Sequence, residues 1–336
     1  PIYVAVPAGN YGYVTITLST ADAQKMTLKF NSSNKPIAVG VVREFAEVEF
    51  EANSLDNDWF EIYDVADMLS FAKNAANFPW VGAKLMATID MSEVDWTPAE
   101  GFSKIFDGNR DAGYKIIGLN APLFGKTTAT IKNLDLNVNI ATSSSAYYNA
   151  TTKVMALGGL ACYSGGPISD STVSGSVYWS HKTSSYTYIF VGGFVGQALD
   201  GSSFSNVDNK ANISAEKHNN TTFLGGIAAM AGVSGGAAVS FYDCTNSGTI
   251  KVNEKTVTGE TNRNSYVAGI LGASNVNVSF EDCSNSGAIT HEKAYTKNAY
   301  VAGIYGRNFS SVNVQLKNLT NTGAITSNTT YREGMG

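Results

Sequence analysis

The stretch YVAGILGASN at Tyr266–Asn275 returns as YVAGIYGRNF at Tyr300–Phe309, and each copy runs on to a related tail, CSNSGAIT ending at Thr290 and LTNTGAIT ending at Thr326. IFVGGFVG at Ile189–Gly196 and TFLGGIAA at Thr222–Ala229 fit the same frame, and MALGGLAC at Met155–Cys162 is a fifth, weaker member. Aligned on the second small residue, the copies fall at Gly159, Gly193, Gly226, Gly269 and Gly303, with intervals of 34, 33, 43 and 34 residues. The tails align as well, ending at Val177, Ile213, Ile250, Ile289 and Ile325. A fixed core with a variable insert is the mark of a stacked repeat architecture.

Within the core the period is two, because Tyr266, Ala268 and Ile270 alternate with Val267, Gly269 and Leu271. This is strand spacing. Across copies one face reads aromatic, small, large, as in Phe190/Gly192/Phe194 and Tyr300/Ala302/Ile304, and that face is expected to point inward. Each repeat gives three short strands, too little to bury its own apolar side, so neighbouring repeats must supply the partner. The expected fold is all-β: a right-handed parallel β-helix with coils about 4.8 Å apart. Asn209, Asn246, Asn285 and Asn321 then share one turn, where each amide can bond to the next in an internal ladder. Gly248, Gly287 and Gly323 follow two residues later and are expected to permit the bend.

Three segments are expected: 1–50, a small and incomplete antiparallel β unit; 51–125, the lead-in and helical cap; and 126–336, the β-helix repeats. The first alternates in strand fashion, as in YVTITL and MTLKF. In the second, DVADMLSFAKNAAN (64–77) reads as the single helix, capped by Asp64, with Val65, Met68, Leu69 and Ala72 on one face. Such a helix suits the open end of the stack, which must be covered against edge-to-edge pairing. Only 15% of residues are charged and the net charge is −5. Residues 1–125 carry 16 acids and 9 bases and residues 126–336 carry 12 and 14, so neither part attracts nucleic acid. No apolar run approaches the roughly 20 residues that span a bilayer. Because Pro1 opens abruptly in strand-like sequence, the chain reads as a piece of a longer exported protein.

No metal or cofactor is expected. There is no CxxC, and His181, His218 and His291 are assigned to polar inserts. Cys244 and Cys283 hold equivalent positions; free core thiols are favoured over a bridge between them. DGNRDAG at Asp107–Gly113 opens like a calcium loop, but Ala112 replaces the turn glycine and no Glu stands at the twelfth place. The coil acids Asp135, Asp170, Asp208, Asp243, Glu281 and Asp282 are mostly isolated, with Asp243 and Asp282 stacked in an outward pair.

Ala66–Ile140 carries Ile89–Asp90, Trp96–Thr97–Pro98, Phe106–Asp107–Gly108–Asn109, Leu123–Phe124–Gly125 and Ile131–Lys132–Asn133–Leu134. This run resembles the lead-in of the GLUG-motif, haemagglutinin-like β-helix surface proteins, and the GGI-type phrases are similar to the GLUG repeat itself. It departs from that pattern at the inserted Arg110–Ala112. Residues 1–50 resemble the trailing half of a fimbrillin-like β-sandwich. The resemblance implies a bacterial surface lipoprotein, anchored to the outer membrane by a preceding part, or a secreted protein. It implies an adhesin-like role and carries no catalytic residue across.

Function therefore rests on surfaces. The insert YWSHKTSSYTY (178–188) is the most aromatic stretch of the coils, and Tyr178, Trp179, Tyr186 and Tyr188 are the candidate ligand-binding residues. The competing reading is a hairpin that packs these rings on the outer wall. The expected function is a non-catalytic, adhesin-like module presenting this surface to a host protein or glycan; the alternative is a carbohydrate-cleaving β-helix enzyme, which needs convergent carboxylates in a groove.

Overall fold

The computed structural model describes residues 13–19, 25–31, 59–143, 148–149, 151–180, 187–217, 220–254, 263–292, 298–309, 311–327 and 333–335. In the first part, Tyr13–Ser19 pairs antiparallel with Lys25–Asn31. From Trp59–Ile62 onward the strands stack in parallel, coil upon coil, and the chain is the parallel β-helix that its repeat implies.

Each full coil contributes a strand to three walls. A back wall takes strands such as Ser203–Asn209 and Asn212–Lys217; a front wall takes Val154–Gly158, Tyr188–Gly192, Thr221–Gly225, Ser265–Ala268 and Ala299–Ala302; a side wall takes Ala161–Ser164, Val195–Ala198, Ala228–Ala231, Leu271–Ser274 and Tyr305–Asn308. The register reproduces the sequence frame, with Phe223 opposite Tyr266 and Tyr266 opposite Tyr300. Like residues therefore stack in rows. Inside the back wall Phe204, Phe241 and Phe280 form such a row, their rings 5.0 Å apart and within 8° of parallel. Each stacked pair adds about 0.5–1.5 kcal/mol beyond its burial. Cys162, Cys244 and Cys283 are buried and free.

The helix Val65–Asn74 closes the first coils. Asp64 accepts the Asp67 amide at 3.0 Å, and Asp67 accepts the Tyr63 amide at 2.9 Å, so two otherwise orphaned donors at its start are satisfied. Asp67, Met68 and Phe71 are its buried residues, while Leu69, expected on that face, is 46% exposed. The ring of Phe71 meets Phe78, Phe102 and Phe106 at 5.0–5.5 Å, which plugs the apolar end of the stack.

Asn209, Asn246, Asn285 and Asn321 stand one above another on the back wall. Asn209 Nδ2 donates to Asn246 Oδ1 at 2.6 Å, Asn246 to Asn285 at 2.6 Å, and Asn285 to Asn321 at 2.7 Å. The second proton of each amide goes to the carbonyl two residues on, at 3.0–3.1 Å, which holds the back-wall turn. The glycines of that turn are not there to bend it: Gly248, Gly287 and Gly323 lack positive φ. They are needed for close stacking, since a Cβ on Gly287 would fall 2.0 Å from the Gly248 carbonyl.

A different row carries left-handed backbone. Asn133, Asp170, Asn206, Asp243, Asp282 and Asn318 all have φ near +50°, one per coil, in the conformation that Asn and Asp tolerate best. Asp243 and Asp282 are thus exposed turn residues.

The opposite side of the asparagine ladder meets the front turn. A Cβ on Gly269 would lie 2.0 Å from the Gly303 carbonyl and 2.6 Å from the Asn285 side chain. Gly269→Ala is accordingly expected to lower the melting temperature by several degrees, as overpacking of about 1–3 kcal/mol does. A thermal melt of the variant that superposes on the parent would show that the turn has room which this packing denies.

Candidate functional site

The double-small turns after the front wall, Gly192–Gly193 and its equivalents, interrupt the strand alternation. Ile189 and Val191 point inward, and Phe194 and Val195 beyond the turn do so too, while Phe190 is left outside the main core. The expected inward aromatic position is therefore corrected: Phe190, Phe223 and Tyr266 belong to a second apolar cluster with Cys162, Ala229, Met230 and Ala273 of the side wall. Front and side walls meet in a crease, and these residues fill it.

The crease needs small residues at its base. A Cβ on Gly196 would lie 2.6 Å from the Leu157 amide nitrogen, and one on Gly306 would lie 2.3 Å from the Gly272 carbonyl. One bank is an aromatic ladder, in which Phe190–Phe223, Phe223–Tyr266 and Tyr266–Tyr300 have ring centres 4.9, 4.8 and 5.0 Å apart. The facing bank is the row Lys126, Tyr163, Gln197, Met230, Ala273 and Arg307. At its lower end the Arg307 guanidinium sits 4.5 Å from the Tyr300 ring centre and 5.5 Å from that of Phe309. This cation seat holds Phe309 across the ladder.

The crease opens into a cleft of about 560 Å³. Tyr188 and Phe309, each 40% exposed, flank it; both rings tilt 58° to Phe223, at 6.2 and 5.8 Å, so that Phe223 is the floor between two exposed aromatic flaps. Tyr163, Gln197, Asn149 and Asn275 bring polar groups to the lining, and Lys126 is its one charged residue among those described. Gln197 Nε2 donates to the Gly232 carbonyl at 3.2 Å. The Tyr163 hydroxyl is buried without a hydrogen-bond partner, and burial pushes its pKa up to about 12.

The insert residues separate. Tyr188 lies at the mouth of the cleft. Tyr178 is half-buried on the back wall, and Tyr186 lies outside the described residues. Trp179 is corrected: it is wholly buried in the main core, because it continues the inward alternation Val173, Val177, Trp179 of the strand Pro167–Ser180, and so offers no ring to a ligand. His291, assigned to an insert, is buried on an inward strand position opposite Val252. In the calcium-like turn, Asp107 Oδ1 accepts from Asn109 N at 2.9 Å and Asn133 Nδ2 at 3.2 Å, while Lys132 Nζ lies 3.7 Å from Oδ2. The protein's own donors thus occupy that carboxylate. Among the described residues no group of three or more His, Cys, Asp or Glu is placed to hold a metal ion, and no helix is long and apolar enough to cross a membrane.

The chain is thus a parallel β-helix protein with an aromatic-lined cleft. No family model matches it, and no curated protein sequence does. Solved structures do share the fold. One is a candidate immunoglobulin A1 protease from Bacteroides ovatus, with a TM-score of 0.60 at 18% identity over 81% of this chain and 77% of that one. Another is an IgA1 protease, with a TM-score of 0.56 at 18% identity over 94% of this chain. The match spans 24% of that second chain. The expectation of a non-enzyme is corrected on this finding, since both of these neighbours are named as proteases.

Tyr163 gives a direct check on the cleft. Its folded pKa is raised, so the stabilisation is complete below the unfolded value near 10 and is lost as pH rises toward 12. Tyr163→Phe is expected to keep or raise stability at pH 7, because the hydroxyl has no partner to lose, and to flatten the decline between pH 10 and 12. Urea unfolding across that range measures both. A clear loss of stability at pH 7 would contradict the unpaired hydroxyl.

Proposed function

We propose that this chain is the β-helix part of a surface or secreted protein of the IgA1-protease type, and that its aromatic cleft engages an immunoglobulin-type protein substrate. The observation that carries the reading is the pair of exposed rings, Tyr188 and Phe309, held over Phe223 in a cleft with a partly polar lining. Exposed aromatics beside a buried aromatic floor are the usual anchors of protein recognition. The shared solenoid with two proteins named for immunoglobulin A1 cleavage supports the choice of partner. The stack supports the mechanism: the strands that carry Tyr188 and Phe223 are hydrogen-bonded on both sides, and Phe309 is held by the Arg307 guanidinium and the Tyr266 ring, so the rings are presented on a preformed scaffold. The GLUG-like repeat phrases fit the same surface setting.

Surface plasmon resonance against immobilised immunoglobulin A1 tests the proposal. Saturable binding is expected, weakened about ten-fold or more by Tyr188→Ala and by Phe309→Ala, the loss of a central aromatic anchor. Absence of binding by the parent chain, or binding as tight as the parent's by both variants, would overturn it.

A further inference from the structure

The cleft has one bank of tilted and edge-to-face rings and one bank of side-chain amides with Lys126, and these two features constrain its occupant. An extended peptide that adds to a sheet needs an unpaired strand edge. The strands that carry Phe190 and Phe223 are paired on both sides and offer no such edge, while the side-wall strand Tyr305–Asn308, which leads into Phe309, ends its sheet. A purely apolar ligand would leave the polar bank without partners. The Tyr163 ring lines this bank, and its hydroxyl is buried and unpaired behind it. The side-chain oxygen of Gln197 and the side chains of Asn149 and Asn275 lie on the same lining. No carboxylate among the described residues lines it.

We infer that the cleft is a glycan-binding site, in which a pyranose ring lies among the Tyr188, Phe223 and Phe309 rings and its hydroxyls reach the side-chain amides of Gln197 and Asn275. A sugar ring has one apolar face of C–H groups and an equatorial fringe of hydroxyls, which is the complement of tilted aromatic walls beside side-chain amides. The volume of about 560 Å³ lies within the roughly 300–1,000 Å³ of small-molecule clefts. Lys126 at the rim admits acidic as well as neutral sugars. This inference rests on the proposed function only in taking the same cleft as the binding face. It assigns the recognised group on the partner to its carbohydrate.

The test uses the whole chain. A glycan array bearing neutral and sialylated oligosaccharides is probed first, and the best binder is then titrated calorimetrically. Binding is expected, with Tyr188→Ala and Phe309→Ala each weakening it about ten-fold or more. Asn275→Ala is expected to weaken it several-fold at unchanged melting temperature, which separates lost recognition from lost folding. No binding to any printed glycan, or affinity equal to the parent's in all three variants, would overturn the inference. A second arm compares immunoglobulin A1 before and after enzymatic removal of its glycans. Binding that survives glycan removal yet still needs Tyr188 and Phe309 would overturn the glycan site and leave the protein-substrate reading intact. Cleft-dependent binding of free glycans with no binding of immunoglobulin A1 would support the site and overturn that choice of partner.

Discussion

One asparagine per coil reaches from the back wall of the solenoid to the glycine turn at its front. Its two amide protons and its oxygen tie it to its own turn and to the next coil, in a row buried to within 1% at Asn209, Asn246 and Asn285. A buried amide with every bond made adds about 1 kcal/mol net, whereas one left unpaired costs about 1–3 kcal/mol. The ladder therefore fixes both register and spacing. Slipping one coil by a residue would orphan amides on both neighbours.

The front turn is shaped by the same contact. Gly193, Gly226, Gly269 and Gly303 abut the asparagine side chains, where a Cβ would stand 2.2–2.7 Å away. In the first copy Gly159 meets Val173 in place of an amide. Because the turn is this tight, the side wall folds back on the front wall, and the aromatic position just before it is turned out of the core. The crease, its ring ladder and the cleft follow from that reversal. Function thus sits on the outside of a constraint whose cause is inside.

Much of this was legible in the sequence because the repeat carries it in register. The recurring Asn and the paired small residues identify stacked coils, and Asp64 with Met68 identifies the helix. The crease was not legible, because simple alternation through Tyr266, Ala268 and Ile270 assigns one face to three residues that the turn divides between two. The last glycine of phrases such as VGGFVG and VAGIYG is the available signal: Gly196 and Gly306 are excess small residues unless another backbone lies against them. Trp179 was misread because its aromatic neighbours outweighed its place two residues after Val177. Phe309 had no repeat partner, since the equivalent residue in the preceding coil is Asn275, so the frame could not give it a role.

The central claim is that the ladder acts as one unit instead of a set of separate hydrogen bonds. A double-mutant cycle on Asn246→Ala and Asn285→Ala, read by urea unfolding of the solenoid, tests it directly. The account predicts that the double variant loses less stability than the sum of the two single losses, with a coupling of about 0.5–3 kcal/mol, because the first substitution already orphans the partner that the second removes. Losses that add to within about 0.5 kcal/mol would contradict it.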